Sequence, residues 1–525
     1  MAEEIIQSNS KVSLDRHVFA ITEPKIKLDL MQFQDLDETN GGPKISRENG
    51  SWAPHVRINN FNIPDTDIVS FTLNCAGFIP SISFSFIDSK NFFNIDSLPR
   101  DGDAVNMRIS ARQEDTFKDI RADFDITSIR GTAGSNYNPA ARSTYNVSGI
   151  MKIPMLMAEE CSSYGLDNSF EHLRMVATKL ELGFASNLES CDDKMVRFNP
   201  YMSNLNFIQD TVSHSYVDDK SFQVGSIDPY YYLNFVNLNQ VFNAPNEMEE
   251  TLIHVFGTDF NMNPENGNEI NKIKSKLLLT NHTNLAGSSQ YVTSHRIINN
   301  ANAISISNGY IRKLQYFENN SRENLVSFDL KALTSDKMKD IEEPLRGRRD
   351  ESRFENEVKQ KYVGRIDSHP VHGNLHPNYF YSSVHNRINR EEVDKMKLEI
   401  TLETVNPGLY RYMKIPVIMF HHEYTANTMN KFAKKFKEEK GFDTVGKEYG
   451  EDVSDPENIQ TIDDFLSGYY VIDEISYHYN TNSILYQKLV LLRREWPTRI
   501  NNVKLETMES STSPKKTTAV INKTR

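Results

Sequence analysis

Eight short runs along this chain read as strands, most of them alternating apolar and polar residues with a period of two, and they fall into two groups of four toward its ends. In the first group Ile82, Phe84 and Phe86 alternate with Ser83 and Ser85, and further runs follow at 104–109, 124–129 and 145–148. In the second, Leu398, Ile400 and Leu402 alternate with Glu399, Thr401 and Glu403, and runs follow at 416–420, 469–475 and 484–490. Period-two alternation marks a strand with one buried face. Four such strands per group predict a small antiparallel barrel or sandwich, present twice. Three chains with two such units each would present six, enough for a ring of pseudo-sixfold symmetry.

Between the groups the pattern changes. Asn168 reads as a helix N-cap with Glu171 three residues on, and Leu173, Val176, Ala177 and Leu180 share one helical face. Gly183 stands where that helix would stop. A second helix is expected from Ser203, with Leu205, Ile208 and Val212 on one side, and strand-like runs follow at 221–224 and 230–236. The expected class is α+β, mainly β. Its divisions are an N-terminal arm (1–54), a first barrel-type module (55–157), an α/β insert (158–247) and a β-rich connecting region (248–336). A polar loop or arm (337–396), a second barrel-type module (397–497) with a helical interruption at 429–436, and a flexible tail (498–525) complete the chain.

Composition narrows the function classes. A chain of 525 residues is too long for one core. Its 38% hydrophobic and 25% charged content fit a soluble globular protein. The net charge of -12 argues against a general nucleic-acid-binding surface, which needs clustered Lys and Arg. It leaves room for an acidic wall that nucleic acid slides past. Cys75, Cys161 and Cys191 form no CxxC pair and no disulfide framework, so reduced thiols are expected. No basic n-region opens the chain and no run approaches the roughly 18 apolar residues of a membrane span, so neither an export signal nor a span is expected.

Candidate chemistry is sparse. His422 and Glu423 open an HExxH pattern, but Ala426 stands where the second ligand belongs, and His421 would point the other way on a strand. His369, His372 and His376 are the best metal candidates by count. Pro370 and Pro377 argue against a regular ligand-bearing helix there, so a polar interface loop is expected. Glu159 and Glu160 are adjacent carboxylates, expected to diverge on a short helix with no apolar pocket to raise either pKa. Neither GxxxxGK[ST] nor GxSxG occurs. The basic run Arg346, Arg348 and Arg349 reads as a partner-facing loop. Met429, Phe432 and Phe436 read as a docked helix rather than a membrane-surface one. Tyr230, Tyr231 and Tyr232 read as core or interface. No catalytic, cofactor-binding or metal-binding residue is expected, and no enzyme.

Several of these segments carry a resemblance. The run Ser162, Ser163, Tyr164 and Gly165, the stretches 173–177, 182–187, 199–203 and 230–236 with Phe207 and Ile208, and the closing 468–472 and 491–496 resemble baseplate hub proteins of contractile-tailed bacteriophages. The likeness spans roughly 55–497. It implies a homotrimer whose chains each give two tube-type antiparallel β-barrel domains, a structural symmetry adaptor between the hexameric tail tube and the trimeric central spike. It further implies location in the virion tail baseplate after synthesis in the host cytoplasm, with genome DNA passing through the bore. Tube or tube-initiator, tape-measure and wedge proteins would be the other neighbours. The long arm at 337–389 and the tail depart from the family pattern. A baseplate-associated cell-wall-degrading enzyme is the rival, and it would need converging carboxylates or a metal triad that the sequence lacks. Residues 503–525 hold Lys504, Lys515, Lys516, Lys523 and Arg525 against Glu506 and Glu509, so any order there is expected to come from docking on an acidic neighbour.

Overall fold

The computed structural model describes residues 18–28, 52–59, 61–89, 93, 103–111, 120–132, 143–244, 279–281, 290–300, 311–317, 325–330, 359–365, 375–376, 378–406, 408–420, 463, 465–480, 485–494 and 496. Strand β1 is Phe19–Thr22, and the first module follows as β2 (Trp52–Ile58), β3 (Phe61–Ile63), β4 (Ile68–Asn74), β5 (Ser81–Asp88), β6 (Ala104–Ala111), β7 (Ile120–Thr132) and β8 (Ser143–Met151). The insert holds β9 (Glu159–Asp167), α1 (Ser169–Lys179), β10 (Gly183–Ser186), β11 (Met195–Ser203), α2 (Asn204–Ser213), β12 (Gln223–Ile227), β13 (Tyr232–Asn237) and α3 (Leu238–Phe242). Then come β14 (Leu279–Thr280), β15 (Val292–Asn299), β16 (Ile311–Phe317), β17 (Leu325–Leu330), β18 (Lys359–Arg365) and helix α4 (Tyr379–Asp394). The second module closes the series with β19 (Met396–Leu402), β20 (Lys414–Ile418), β21 (Gly468–Asn480) and β22 (Tyr486–Leu492).

Each of the eight runs coincides with a strand over most of its length, and the fold is mainly antiparallel β. In the first module the strands lie in the order β4-β5-β8-β7-β6, and in the second in the order β15-β19-β22-β21-β20, with every neighbouring pair antiparallel. The irregularities repeat too. The first strand of each series slips register once, between Ile68 and Ser70 and between Val292 and Ser294. The fourth, β7 or β21, slips between Ile126 and Ser128 in one module and between Ile472 and Glu474 in the other. Both of these fourth strands are 13 residues long. Equivalent inward positions are filled by unlike apolar residues, Phe84 for Ile400, Val105 for Ile415 and Phe124 for Tyr470, all buried. One pleat with different side chains satisfies the same alternation.

Among the described residues the two modules run on as one 13-stranded sheet, because the second half of β21 pairs with β4. Strands β2 and β3 extend the first module beyond β6. Strands β14 and β15, which the sequence reading places in the connecting region, pair with β20 and β19 of the second module. A separate sheet joins β16 to β17 and β18.

The insert is a four-stranded sheet in the order β1-β10-β13-β12, with α1 and α2 and the two-stranded ribbon of β9 and β11. Asn168 caps α1 as expected, accepting from Glu171 N at 2.9 Å. Ser203 caps α2, accepting from Asn206 N at 3.2 Å. Gly183 does not stop α1: the helix ends at Lys179, Glu181 takes the left-handed turn at φ 59°, and Gly183 opens β10. Tyr230 and Tyr231 precede their strand rather than lie in it, and Tyr231 is left-handed at φ 67°. The arm at 337–396 is not loop throughout, since it contains β18 and the 16-residue α4. Glu159 and Glu160 lie on strand β9, not on a helix, and still diverge because neighbours on a strand face opposite ways. Residues 369, 372, 346–349, 421–426, 429–436 and 498–525 lie outside the described residues.

A candidate assembly interface at the module joint

The joint is a short ladder between distant parts of the chain. Ser476 faces Asn74, Tyr477 faces Leu73, His478 faces Thr72, Tyr479 faces Phe71 and Asn480 faces Ser70. Cys75 N donates to Ile475 O at 2.9 Å and extends the pairing by one residue. Alternation decides which side chains meet in the interior. Leu73, Phe71 and Tyr477 are buried, while Thr72 Oγ1 and His478 Nδ1 lie 3.2 Å apart on the other face. Burial pushes the His478 imidazole down to about 4, with Lys488 acting in the same direction, so the ring stays neutral at pH 7.

A buried charge cluster holds the second module against this ladder. Asp473 is the extra residue at the β21 bulge and is fully buried. Its carboxylate accepts from Arg390 Nη2 at 2.6 Å and Lys397 Nζ at 3.1 Å, and Arg411 Nη2 lies 4.0 Å away. Burial alone would push this carboxyl up. The cations Arg390, Arg411 and Lys397 outweigh burial and hold it well below the usual carboxylate range. Arg411 also reaches across the joint, its guanidinium donating to the carbonyls of Cys75, Ala76 and Gly77 at 3.4, 3.1 and 2.7 Å. One aspartate thereby orients the arginine that clamps the turn after β4.

The insert braces both modules. Tyr231 Oη accepts from Asp123 N at 2.9 Å, and Phe78 O accepts from Ile227 N at 2.7 Å, both on the first module's side. On the other side Lys414 Nζ donates to Phe242 O and Ala244 O at 2.9 and 2.6 Å. An apolar cluster packs Phe222, Val236 and Leu238 of the insert with Tyr412, Val471 and Leu492. Helix α4 completes the brace with polar contacts. His385 Nε2 sits 3.0 Å from Ser221 O, Asn386 Nδ2 donates to Ser213 O and Ser215 O at 3.1 and 3.0 Å, and Ser382 Oγ donates to His214 O at 2.9 Å. Arg390 of the same helix then reaches Asp473.

Among the described residues no group of three His, Cys, Asp or Glu could hold a metal ion. His376 is buried with its Nε2 3.3 Å from His214 O, and burial pushes it down to about 4. Glu160 bonds Lys179 at 2.6 Å, and that bond, against the opposing pull of burial, lowers its carboxyl. Ser169, Asp193 and Arg197 form a triad that resembles an activated nucleophile, yet all three are fully buried. Asp193 accepts from Ser169 N at 2.9 Å and Tyr216 N at 3.2 Å, so the triad pins the start of α1 to the ribbon. Arg390, Lys397, Arg411 and Asp473 share no local motif that would single them out in the sequence. A carboxylate inside the apolar run 469–475 was the available signal.

Among the described residues no helix is long and apolar enough to cross a membrane. No family model matches the chain, and no curated protein matches its sequence. Among solved structures it is similar to a tail protein from Neisseria meningitidis MC58, at TM-score 0.42 and 9% identity over 84% of this chain and 97% of that one. It is also similar to the 43 kDa tail protein of prophage MuSo2 from Shewanella oneidensis, at TM-score 0.42 and 8% identity over 86% and 99% of the two chains. A third is the E. coli c3393 protein, a type VI secretion component with structural similarity to T4 bacteriophage tail proteins gp27 and gp5, at TM-score 0.37 and 8% identity over 83% and 76%. Phage tail proteins and a type VI secretion component are thus among the solved structures to which this chain is similar.

Proposed function

We propose that this chain is a non-enzymatic structural hub of a contractile phage tail baseplate. Three copies form a ring that adapts the sixfold symmetry of the tail tube to the threefold symmetry of a central spike. The observation that carries this reading is the duplicated five-strand module, joined edge to edge within one chain. Two equivalent units per chain turn a threefold assembly into a ring of six similar positions, which a hexameric tube can match. The resemblance to hub proteins supplies the remaining parts: a place in the virion tail baseplate, and tube, spike and tape-measure neighbours. DNA would pass through the bore without sequence-specific binding. A net charge of -12 fits such a passage, since a basic wall would hold phosphate.

Native mass measurement of the purified full chain tests the reading. The expected particle has three times the 60.4 kDa chain mass. A species that remains monomeric or dimeric at every concentration, and in cross-linked tails, would overturn it.

A further inference from the structure

We infer that the outer edge of β7 in one copy pairs with the outer edge of β15 in a second copy, with Arg130 opposite Ile298, Gly131 opposite Ile297 and Thr132 opposite Arg296. The inference rests on the ring reading and adds which strands meet and in what register.

The duplicated ladders supply the register. Superposing the modules on their bulges sets Thr127 on Asp473, and Ser70, Thr72 and Leu73 on Ser294, Arg296 and Ile297. In that frame the distal half of β21 corresponds to residues 128–132 of β7, and β4 corresponds to β15. Within the chain β21 and β4 pair with each other. Their counterparts do not: among the described residues, 128–132 pair only with β8, and 293–298 only with β19. One edge lacks the partner that the other edge would be. A chain with two such complementary edges associates head to tail, and closes a ring when the rotation allows.

Burial carries the same message independently. Leu73 is 0% exposed inside the joint, whereas its counterpart Ile297 is 42% exposed. Thr293, Ser294, His295 and Arg296 are exposed as well, as are Ser128, Arg130, Gly131 and Thr132 on the opposite edge. A long edge strand open on both faces invites another strand. The surroundings also fit an incoming Ile297. Gly131 takes the place of Tyr477, and the Tyr145 ring lies 2.7 Å from where a Cβ on Gly131 would stand. An aromatic ring therefore waits beside Gly131 as Tyr477 waits beside Leu73. Arg296 is already paired with Glu399 at 2.9 Å, so it brings no uncompensated charge toward Arg130.

Disulfide trapping of the full chain tests the register. Opposed residues of an antiparallel pair have Cα atoms about 4.5–5.5 Å apart, inside the roughly 4.4–6.8 Å that a disulfide spans. In a Cys161→Ser background, chains carrying Thr132→Cys and chains carrying Arg296→Cys are mixed and oxidised. A covalent dimer is expected from the mixture and from neither chain alone, and a chain with both substitutions should yield a covalently closed oligomer. Ser128→Cys mixed with Arg296→Cys, four residues out of register, should give at least tenfold less. Absence of the 132–296 bond, or an equal yield from 128–296, would overturn the inference. Native mass of the unlinked wild type separates the two readings. A trimer without the 132–296 bond refutes this register alone, whereas a persistent monomer refutes the ring with it. A second variant, Ile297→Lys, puts a charge on the inward side of the edge. It should keep the wild-type circular dichroism and lose assembly at least tenfold, and unchanged assembly would again overturn the pairing.

Discussion

Replacing Asp473 by Asn keeps the shape of the side chain and removes the one charge on which three cations converge. The aspartate side chain is 0% exposed, and those of Arg390, Lys397 and Arg411 are 26%, 14% and 12% exposed. Removing one partner from a buried ion cluster costs about 3–5 kcal/mol, because the remaining charge stays buried and unpaired. The lower end applies here. Asp394 lies 3.0 Å from both Arg390 and Lys397 and remains to compensate them. We expect Asp473→Asn to lose about 3 kcal/mol, a fall of about 1 M in the urea midpoint if the slope is about 3 kcal/mol/M. A double-mutant cycle with Arg390→Met should return a coupling of about 2 kcal/mol. The pH dependence has a definite sign. A carboxyl held below its unfolded value contributes fully above that value, near pH 4, and the contribution fades as pH falls toward the folded value. The gap between wild type and Asp473→Asn should therefore be constant from pH 8 to pH 5 and narrow below pH 4. A loss under about 1 kcal/mol, the range of an exposed pair, would refute the clamp.

Other outcomes follow from separate parts of the molecule. Asn168→Ala removes the side-chain cap of α1 and should cost about 1 kcal/mol in urea unfolding, with Asn168→Asp nearly neutral. Of the three cysteines, Cys161 is exposed while Cys75 and Cys191 are buried, and burial pushes the Cys75 thiol up to about 12. A thiol reagent at pH 8 should thus titrate one group quickly and the other two only on unfolding. Gly149→Ala sets a Cβ 2.8 Å from Asp125 O, a backbone atom that cannot swing aside, and should cost about 1–3 kcal/mol by overpacking. Deleting residues 503–525 should leave the isolated protein folded, by circular dichroism, and reduce its incorporation into baseplates; normal incorporation would rule out docking of the tail.

Most of the eight strands legible in the sequence have one face more buried than the other, so alternation survives, whereas β20 is buried from Ile415 to Ile418 and is legible as a short apolar run. The first strand of each module was not legible, for two different reasons. In β4 the slip at Val69 puts Ile68 out of step with Phe71 and Leu73, so period two breaks within seven residues. In β15 the positions from Thr293 to Ile297 are exposed on both faces, so there is no alternation to detect. Helix α4 is hard to read from sequence because its buried positions include the polar His385, Asn386 and Asn389, which are held by hydrogen bonds. The charge cluster was illegible because Arg390, Lys397, Arg411 and Asp473 converge only once the bulge turns Asp473 inward. Bulges decide which side chains leave the alternation, and nothing local in the sequence marks them.

The ladder between the modules also sets a timetable for synthesis. Thr72 meets His478 across 406 residues of chain. At about 5–20 residues per second, β21 follows β4 out of the ribosome by roughly 20–80 s. A strand pair of such high sequence separation forms late, since loop closure must precede its contacts. Throughout that interval the nascent first module carries β4 as an open edge, a template for any extended segment that meets it. Neighbouring nascent chains on one polysome present the same edge at the same time. Premature pairing between copies is therefore a hazard built into the order of the two modules, and it ends when β21 arrives.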